Sequence, residues 1–211
     1  MPETSPRRSS FGQSFARVGP RMDARGAAEH RRRLLEAAHG SVVEIGAGYG
    51  ATFPLYPSAV TGVLALEPDP TLRELARAAA ARAPVPVTVE DGVAESLPAA
   101  DASVDVVVSS LVLCSVADQS VALAEVVRVL RPGGLLLFYE HVRSAHLVLG
   151  AAEDLLTPLW SRIAGGCHPN RNTAAVIAGA GLTVQTLERF GFSVLPGNPR
   201  VAHVLGVAGK P

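Results

Sequence analysis

The sequence predicts an α/β fold in which a doubly wound sheet of seven strands, mostly parallel, carries helices on both faces. Apolar runs typical of buried strands alternate along most of the chain with segments typical of helices. The runs are nearly continuous in Val and Leu, as expected for strands that are covered on both faces. The predicted strands are 42–45, 60–66, 85–89, 104–108, 135–139, 182–187 and 201–207.

Composition limits the class of protein and the kind of ligand. The chain has 211 residues, of which 48% are hydrophobic and 18% charged, which suits one domain with a sizeable core. Nineteen Lys and Arg residues balance nineteen Asp and Glu residues, so the charge does not favour nucleic acid or an anionic membrane. We expect a small-molecule substrate, no nucleic acid or membrane partner, and a monomer or homodimer.

The two cysteines, Cys114 and Cys167, are too few for a disulfide framework and form no CxxC metal motif. They indicate a reducing, cytoplasmic environment, and no metal site is expected. No apolar run approaches the roughly 20 residues that span a bilayer, and no signal peptide is recognisable. We therefore expect a soluble protein.

The predicted helices lie between the strands and carry recognisable end signals. Pro70 suits the first turn of a helix over 70–82, and Asp118 caps a second helix that runs to Leu130. A third helix over 173–180 ends at Gly181. The last two strands are joined by a short loop containing Pro and Gly, which predicts an antiparallel pair at the sheet edge.

Two regions interrupt this alternation. Residues 1–21 are rich in Arg, Ser, Pro and Gly; the bias resembles a transit peptide, but a flexible amino-terminal arm is the simpler interpretation. The single domain then spans 22–211 and begins with an amphipathic helix over Met22 to His39. Residues 144–172 predict either a helical lid over the ligand or a connecting helix without ligand contact.

The stretch VVEIGAGYG, residues 42–50, is a short strand followed by a glycine-rich turn that can lie against a ligand. Its glycines also fit the dinucleotide pattern G-x-G-x-x-G/A. Pro54 and Pro57 interrupt the helix that would bind a pyrophosphate, and Glu44 would repel one. A sulfonium cation suits Glu44 better, so these residues favour S-adenosylmethionine over NAD.

Two acids follow the next predicted strands. Glu67 can accept hydrogen bonds from ribose hydroxyls of either cofactor, or it can be a solvated loop acid. Asp91 follows the third strand at the depth of an adenine amino group, although an Asp before Gly92 also forms turns. Ligands of such sheets bind beyond the carboxyl ends of the strands, where these acids lie.

Five motifs of the chain resemble those of class I S-adenosylmethionine-dependent methyltransferases of the domain 11 type. In order they are VVEIGAGYG, LALEPDP, EDGVAESLP, SSLVLCSVADQ and VVRVLRPGG, and the resemblance extends from about Glu29 to the carboxyl terminus. More narrowly, LVLCSVADQ, FYEHV and PLW followed by GGCHPNR resemble methyltransferase-like proteins of animals that methylate alkyl thiols, and similar bacterial enzymes. The animal proteins have an amino-terminal hydrophobic anchor that this sequence lacks, so membrane attachment is not expected.

The resemblance implies a Rossmann-like sheet and S-adenosyl-L-methionine as cofactor. It places one group of residues at the methionine end of the cofactor, a second at the ribose, a third at the adenine and a fourth near the methyl group. In that order they are Glu44, Gly46, Ala47 and Gly48; Glu67 and Pro68; Asp91, Gly92 and Val93; and Ser110 and Leu111.

The implied reaction is an in-line methyl transfer to a thiol, amine, hydroxyl or carbon acceptor. A base is needed only for an acceptor that is protonated at working pH, and His141 and His168 are the candidates, although either can be an ordinary histidine. Cys114 and Cys167 are expected to be small buried residues. Contact with an apolar substrate is expected from Trp160, Leu156 and Tyr139, which are otherwise core residues.

Two other functions fit parts of the sequence. The glycine pattern allows an NAD(P)-dependent oxidoreductase, which NADH binding would reveal. A non-catalytic accessory subunit that binds S-adenosylmethionine would keep the cofactor site without turnover.

Overall fold

The computed structural model describes residues 6–193 and 200–211, and its centre is one seven-stranded sheet. The sheet order is β3-β2-β1-β4-β5-β7-β6, and β7 is antiparallel to both of its neighbours. The order reverses between β1 and β4, which opens a crevice at the carboxyl ends of these strands. The strands are β1 (Gly40–Ile45), β2 (Val60–Leu66), β3 (Val87–Glu90), β4 (Val104–Ser110), β5 (Leu130–His141), β6 (Thr183–Phe192) and β7 (Val201–Gly209).

Helices cover both faces of the sheet, as predicted. Successive strand residues point to opposite faces, so Val42 packs into one hydrophobic cluster and Val43 into another. The cluster around Val43 includes α4 and α6, and the cluster around Val42 includes α2 and α3. The helices are α1 (Pro6–Met22), α2 (Ala28–Leu34), α3 (Pro70–Ala80), α4 (Gln119–Val129), α5 (Leu147–Ile163) and α6 (Thr173–Gly179).

The amino-terminal segment differs from the predicted flexible arm, because residues from Pro6 onward form α1. Its apolar residues are spaced by four, three and four positions and therefore share one helical face: Phe11, Phe15, Val18 and Met22. Phe15 lies 5.8 Å from Tyr49 between ring centroids, so α1 covers the turn after β1. The Arg- and Ser-rich composition concealed this periodicity. Residues 1–5 lie outside the described residues.

Other predicted boundaries also shift. The single helix expected over 22–39 is divided, because Gly26 adopts a φ of 122° in an irregular turn that separates α1 from α2. β5 begins at Leu130, five residues before its predicted start, because Val104 pairs with Leu130 ahead of a register shift. The predicted loop between the last two strands, 188–200, is strand at its start, because β6 continues to Phe192. Residues 194–199 of this loop lie outside the described residues. No helix formed by the described residues is long and apolar enough to cross a membrane.

Core packing through α4 should dominate stability. Leu123 is fully buried between α4 and the sheet, so Leu123→Ala should lower the free energy of unfolding by about 2–5 kcal/mol. Leu147→Ala, at an 82% exposed position, should change it by less than about 0.5 kcal/mol. Urea denaturation measures both values; equal losses would show that α4 does not pack as described.

Candidate functional site

The turn after β1 is shaped by glycines that no other residue can replace easily. Gly46 and Gly48 have φ values of 61° and 59°, in the left-handed region. A Cβ atom on Gly46 would also lie 2.5 Å from the side chain of Val112, which follows β4. Between them, Ala47 is buried and donates its N–H to the carbonyl of Leu66 at 2.9 Å. The turn is therefore fixed against the ends of both neighbouring strands.

Glu67 links this turn to the end of β2. Its Oε2 accepts the Gly48 N–H at 2.7 Å, and its Oε1 accepts the Asp69 N–H at 2.8 Å. Burial raises the pKa of Glu67 to about 7, against these hydrogen bonds, which lower it. Glu67 is therefore not the solvated acid that the sequence left open, and it lies beside the glycines. Pro68 follows it and is half-buried.

Asp69 provides a further acceptor beyond β2, where site residues were expected, although the sequence assigned it no specific role. Its Oδ1 caps α3 by accepting the N–H groups of Thr71 and Leu72. Its Oδ2 is buried and has no hydrogen-bond partner among the described residues. A buried carboxylate oxygen without a donor is costly, and a ribose hydroxyl is a suitable donor. The cradle formed by Gly48, Glu67 and Asp69 fits S-adenosylmethionine.

Glu44 is buried beneath the turn. Its two oxygens accept hydrogen bonds from Thr52 Oγ1 at 2.6 Å and from the Tyr56 hydroxyl at 2.8 Å. Burial raises the pKa of Glu44 to about 7 despite these bonds. The structure gives Glu44 a role in holding the segment after the glycines. Its direct contact with the cofactor stays a prediction.

The region between α1 and α2 brings charged residues to the crevice. Sequence reasoning did not identify these residues. Arg31 is 4% exposed, forms an ion pair with Asp23 and donates from Nε to Ser110 Oγ at 3.3 Å. Asp23 also accepts the Tyr49 hydroxyl. Arg31 could not be recognised in this arginine-rich part of the sequence, because only its burial distinguishes it from the neighbouring arginines.

The carboxyl end of β4 is strained at Leu111, next to Ser110. Leu111 has a φ of 63°, which a residue with a Cβ atom rarely adopts, and its N–H donates to the Tyr139 carbonyl at 2.7 Å. Such strain persists only where surrounding contacts impose it and is common at functional sites. Both residues lie at the strand end where the methyl group was predicted.

Glu140, at the end of β5, imposes much of that geometry. Its carboxylate is fully buried and accepts Ser109 Oγ at 2.5 Å and the backbone N–H groups of the next turn at 3.0–3.1 Å. Those N–H groups belong to Val112, Leu113 and Cys114. Glu140 follows the predicted fifth strand, where site residues were expected, but the sequence assigned it no specific role.

His141 lies beside both cysteines. Its Nδ1 is 3.5 Å from Cys114 Sγ and 3.4 Å from Cys167 Sγ, and the two sulfurs are 3.7 Å apart. Both thiols are buried and form no disulfide. Hydrogen bonds from Cys114 and His141 hold the pKa of Cys167 well below its usual range. Cys114 and Cys167 are buried as expected, but they share a cluster that sequence spacing did not indicate.

His168 lies next to this cluster. Its Nδ1 is 2.6 Å from the Gly166 carbonyl, and its backbone N–H donates to the Cys114 carbonyl at 2.8 Å. The roles of His141 and His168 as bases stay predictions.

The residues predicted around the adenine lie at the carboxyl end of β3. Asp91 is exposed and pairs with Arg73 at 2.9 Å, while Val93 is 37% exposed. A Cβ atom on Gly92 would lie 3.1 Å from Leu66. Their contact with adenine stays a prediction.

The three predicted substrate residues have different surroundings. Tyr139 is fully buried, its ring packs at a tilt against those of His30 and His203, and its hydroxyl has no partner among the described residues. Leu156 is 58% exposed on α5, and Trp160 is 46% exposed, with its side chain near enough to Cys167 to lower the pKa of that thiol. Trp160 therefore lies at the cysteine cluster, and the substrate contacts of all three residues stay predictions.

Comparison with known proteins identifies the family. Residues 43–138 match a family model described as a methyltransferase domain. The thiol S-methyltransferase TMT1B of Rattus norvegicus is 35% identical over 181 residues, covering 81% of this chain and 70% of that protein. The chain belongs to the class I S-adenosylmethionine-dependent methyltransferases. Membership of this family identifies the cofactor as S-adenosylmethionine, not NAD, although the glycine pattern allowed both.

Solved methyltransferase structures share the fold. A possible histamine N-methyltransferase from Thermotoga maritima superposes with a TM-score of 0.71 at 22% identity, covering 95% of this chain and 99% of that chain. A geranyl diphosphate methyltransferase in complex with S-adenosylmethionine gives a TM-score of 0.68 at 16% identity, covering 87% and 84%.

Loss of the Glu67 carboxylate should weaken cofactor binding. We expect Glu67→Ala to reduce affinity for S-adenosylhomocysteine by about 1–3 kcal/mol, because a charge-assisted hydrogen bond is lost. Calorimetric titration measures this change, and the thermal melt checks folding. Glu36→Ala, at an exposed position, is the control and should bind normally. Unchanged affinity in a folded Glu67→Ala variant would place the ribose elsewhere.

Glu44 should make stability depend on pH. Its pKa is about 7 in the folded protein against 4.5 in the unfolded chain, so the folded protein keeps a proton that the unfolded chain releases. The resulting stabilisation is complete below pH 4.5 and is lost as the pH rises to 7. Glu44→Gln does not titrate. Between pH 4.5 and 8, the wild type should therefore lose about 2–3 kcal/mol relative to Glu44→Gln in urea denaturation, and a constant difference would refute the shift.

Proposed function

We propose that this methyltransferase transfers the methyl group to the sulfur of a small, apolar thiol. The thiol S-methyltransferase named among its relatives supports this acceptor class. The observation that carries the proposal is the composition of the site at the ends of β4 and β5. There the protein presents two thiols and an imidazole, and the nearby carboxylate of Glu140 already accepts four hydrogen bonds.

That composition favours an acceptor that needs little help from a base. Glu140 is fully buried and already accepts four hydrogen bonds, so proton transfer to it would weaken the bonds that hold the turn after β4. An alcohol would require a strong base at this position, whereas a thiol with a pKa near about 8.5 ionises close to neutral pH. His141 is the side chain placed to receive the proton of the thiol.

The exposed apolar residues of α5 support an apolar acceptor. Three leucines and Trp160 form a largely exposed apolar surface on this helix, which we call the α5 surface: Leu155, Leu156, Leu159 and Trp160. Trp160 connects it to the cluster, because its side chain lies near the Cys167 thiol and lowers the pKa of that group. An apolar substituent that covered part of this surface would gain about 25 cal/mol per Å² of buried apolar area.

The chemistry divides between cofactor and protein. S-adenosylmethionine supplies an electrophilic methyl group. A bond forms between that carbon and the acceptor sulfur, the bond to the donor sulfur breaks with its electron pair, and the thiol proton leaves. The protein contributes alignment, which can be worth about 7–11 kcal/mol for well-positioned reactants.

The acceptor class is tested with matched compounds. A straight-chain alkyl thiol and the alcohol and amine of the same chain length are incubated with the full chain and radiolabelled S-adenosylmethionine. We expect labelled thioether only from the thiol. Labelled ether or amine at a comparable rate would reject the proposal.

Trp160→Ala tests the apolar surface. We expect KM for the alkyl thiol to rise by roughly 10-fold with kcat within about twofold, because burial that is equal in ground and transition states is lost. Steady-state kinetics measures both constants. Val148→Ala, at a 70% exposed position near the start of α5, is the control and should leave KM unchanged. A loss confined to kcat would mean that Trp160 positions the cluster instead.

A further inference from the structure

Three metal-ligating side chains lie together among the described residues. The potential ligand atoms of Cys114, His141 and Cys167 are all within 4.8 Å of one another. They come from three separate segments: the turn after β4, the end of β5 and the loop after α5. The sequence spacing does not indicate this meeting, and no step of the proposed methyl transfer uses the two protein thiols. Direct transfer from a sulfonium donor requires no protein thiol.

The distances within the group match a tetrahedral metal site. Zinc binds sulfur at about 2.3 Å and nitrogen at about 2.0 Å, so tetrahedral geometry separates two sulfurs by about 3.8 Å and a sulfur from a nitrogen by about 3.5 Å. The observed separations are 3.7 Å between the sulfurs and 3.5 Å and 3.4 Å from each sulfur to His141 Nδ1. All three edges agree.

The donor set selects the kind of metal. Two sulfurs and one imidazole nitrogen suit zinc and other soft or borderline ions, whereas calcium and magnesium require oxygen ligands. Three protein ligands with one open position are the pattern of catalytic zinc sites, and structural sites have four.

The donors are held in place by contacts that do not involve the thiols themselves. Cys114 is fixed by its N–H, which donates to Glu140, and by its carbonyl, which accepts the His168 N–H. The latter bond joins the Cys167 loop to the turn after β4. Arg171 adds two bonds, from Nη1 to the carbonyls of Leu113 and Val116 at 2.9 Å and 2.8 Å.

The Cys167 loop is fitted closely against that turn. Gly166 has a φ of 86°, and a Cβ atom there would lie 3.0 Å from the Ser115 carbonyl oxygen. Only glycine allows the approach that brings Cys167 to Cys114 without strain. A preorganised donor triangle of this kind lowers the cost of binding an ion.

We propose that Cys114, His141 and Cys167 bind one zinc ion whose fourth position takes the sulfur of the acceptor thiol. The second half of this inference rests on the proposed function. In this arrangement His141 Nδ1 binds the ion instead of receiving the thiol proton. On binding, the thiol therefore releases its proton to solvent, displaces a metal-bound water and becomes a zinc thiolate. The methylated product is a neutral thioether, a weak ligand that leaves the metal.

The metal site is tested first, without turnover. The full chain, reduced with a phosphine under anaerobic conditions, is titrated with zinc against a chromophoric chelator. We expect one ion per chain, and a loss of affinity of at least roughly 10-fold, as is typical for perturbed metal sites, in each of Cys114→Ser, Cys167→Ser and His141→Gln. His146→Gln, an exposed histidine at the start of α5, is the matched control and should bind normally.

Three results would overturn the site. They are no zinc binding by the wild type, binding that all three variants retain, and an intact mass showing that the anaerobically purified protein carries a Cys114–Cys167 disulfide. S-adenosylhomocysteine binding and thermal melts confirm that each variant is folded, so that a lost ion cannot be confused with an unfolded chain.

The fourth position is tested with cobalt(II) in place of zinc. Adding an alkyl thiol should change the sulfur-to-cobalt absorption, and the alcohol of the same chain length should not. No change with the thiol would overturn the acceptor half of the inference. Ligation of the thiol without labelled thioether in the methylation assay would leave the zinc site standing and reject the proposed function instead.

Discussion

A buried carboxylate must find hydrogen-bond donors, and this requirement fixes the ligand crevice at three strand ends. Glu44 at β1 is satisfied by hydroxyl groups, whereas Glu67 after β2 and Glu140 at β5 are satisfied mainly by backbone N–H groups of neighbouring turns. Each acid therefore determines the path of the chain beyond a strand. Because the three strands are parallel members of one sheet, with only β4 between β1 and β5, the three fixed turns lie at the same edge of the sheet.

The elements that sequence reasoning predicted well are those with a strong local signal. Continuous Val and Leu runs mark β1, β2 and β4, and Asp118 caps α4 by accepting two backbone N–H groups, as predicted. The pairing of Gly48 with Glu67 also follows from order along the chain, since the ends of neighbouring parallel strands must meet. The cofactor family could thus be inferred before any coordinate was known.

The features that sequence reasoning missed depend on tertiary contacts. The periodicity of Phe11 and Phe15 is too short to outweigh the Arg-rich composition around them, and their helix is stabilised by contact with Tyr49 and the glycine turn. Arg31 resembles its neighbours Arg32 and Arg33 in sequence. It differs only because α2 turns it toward Ser110.

The cysteine and histidine cluster was missed for a different reason. Cys114 and His141 were each recognised as following a strand, and β4 and β5 are neighbours, so their proximity was accessible from topology. The position of Cys167 could not be inferred from topology. Its loop reaches the other two residues only through α5 and the hydrogen bond from the His168 N–H to the Cys114 carbonyl. Motif spacing describes metal sites within one short segment and fails when three segments each supply one ligand.

The two ends of the crevice offer opposite chemistry, and this contrast explains why one sheet edge can hold two reactants in order. Glu67 and Asp69 present oxygen acceptors that suit the hydroxyl groups of a ribose. The other end presents Cys114, His141 and Cys167, whose sulfur and imidazole donors suit a soft ion or another sulfur. A sugar hydroxyl gains little among thiols, and a thiol gains little between carboxylates. Under the proposed function, the strand order therefore fixes the direction in which donor and acceptor face each other, and exchanging their positions would leave Asp69 Oδ2 without a donor.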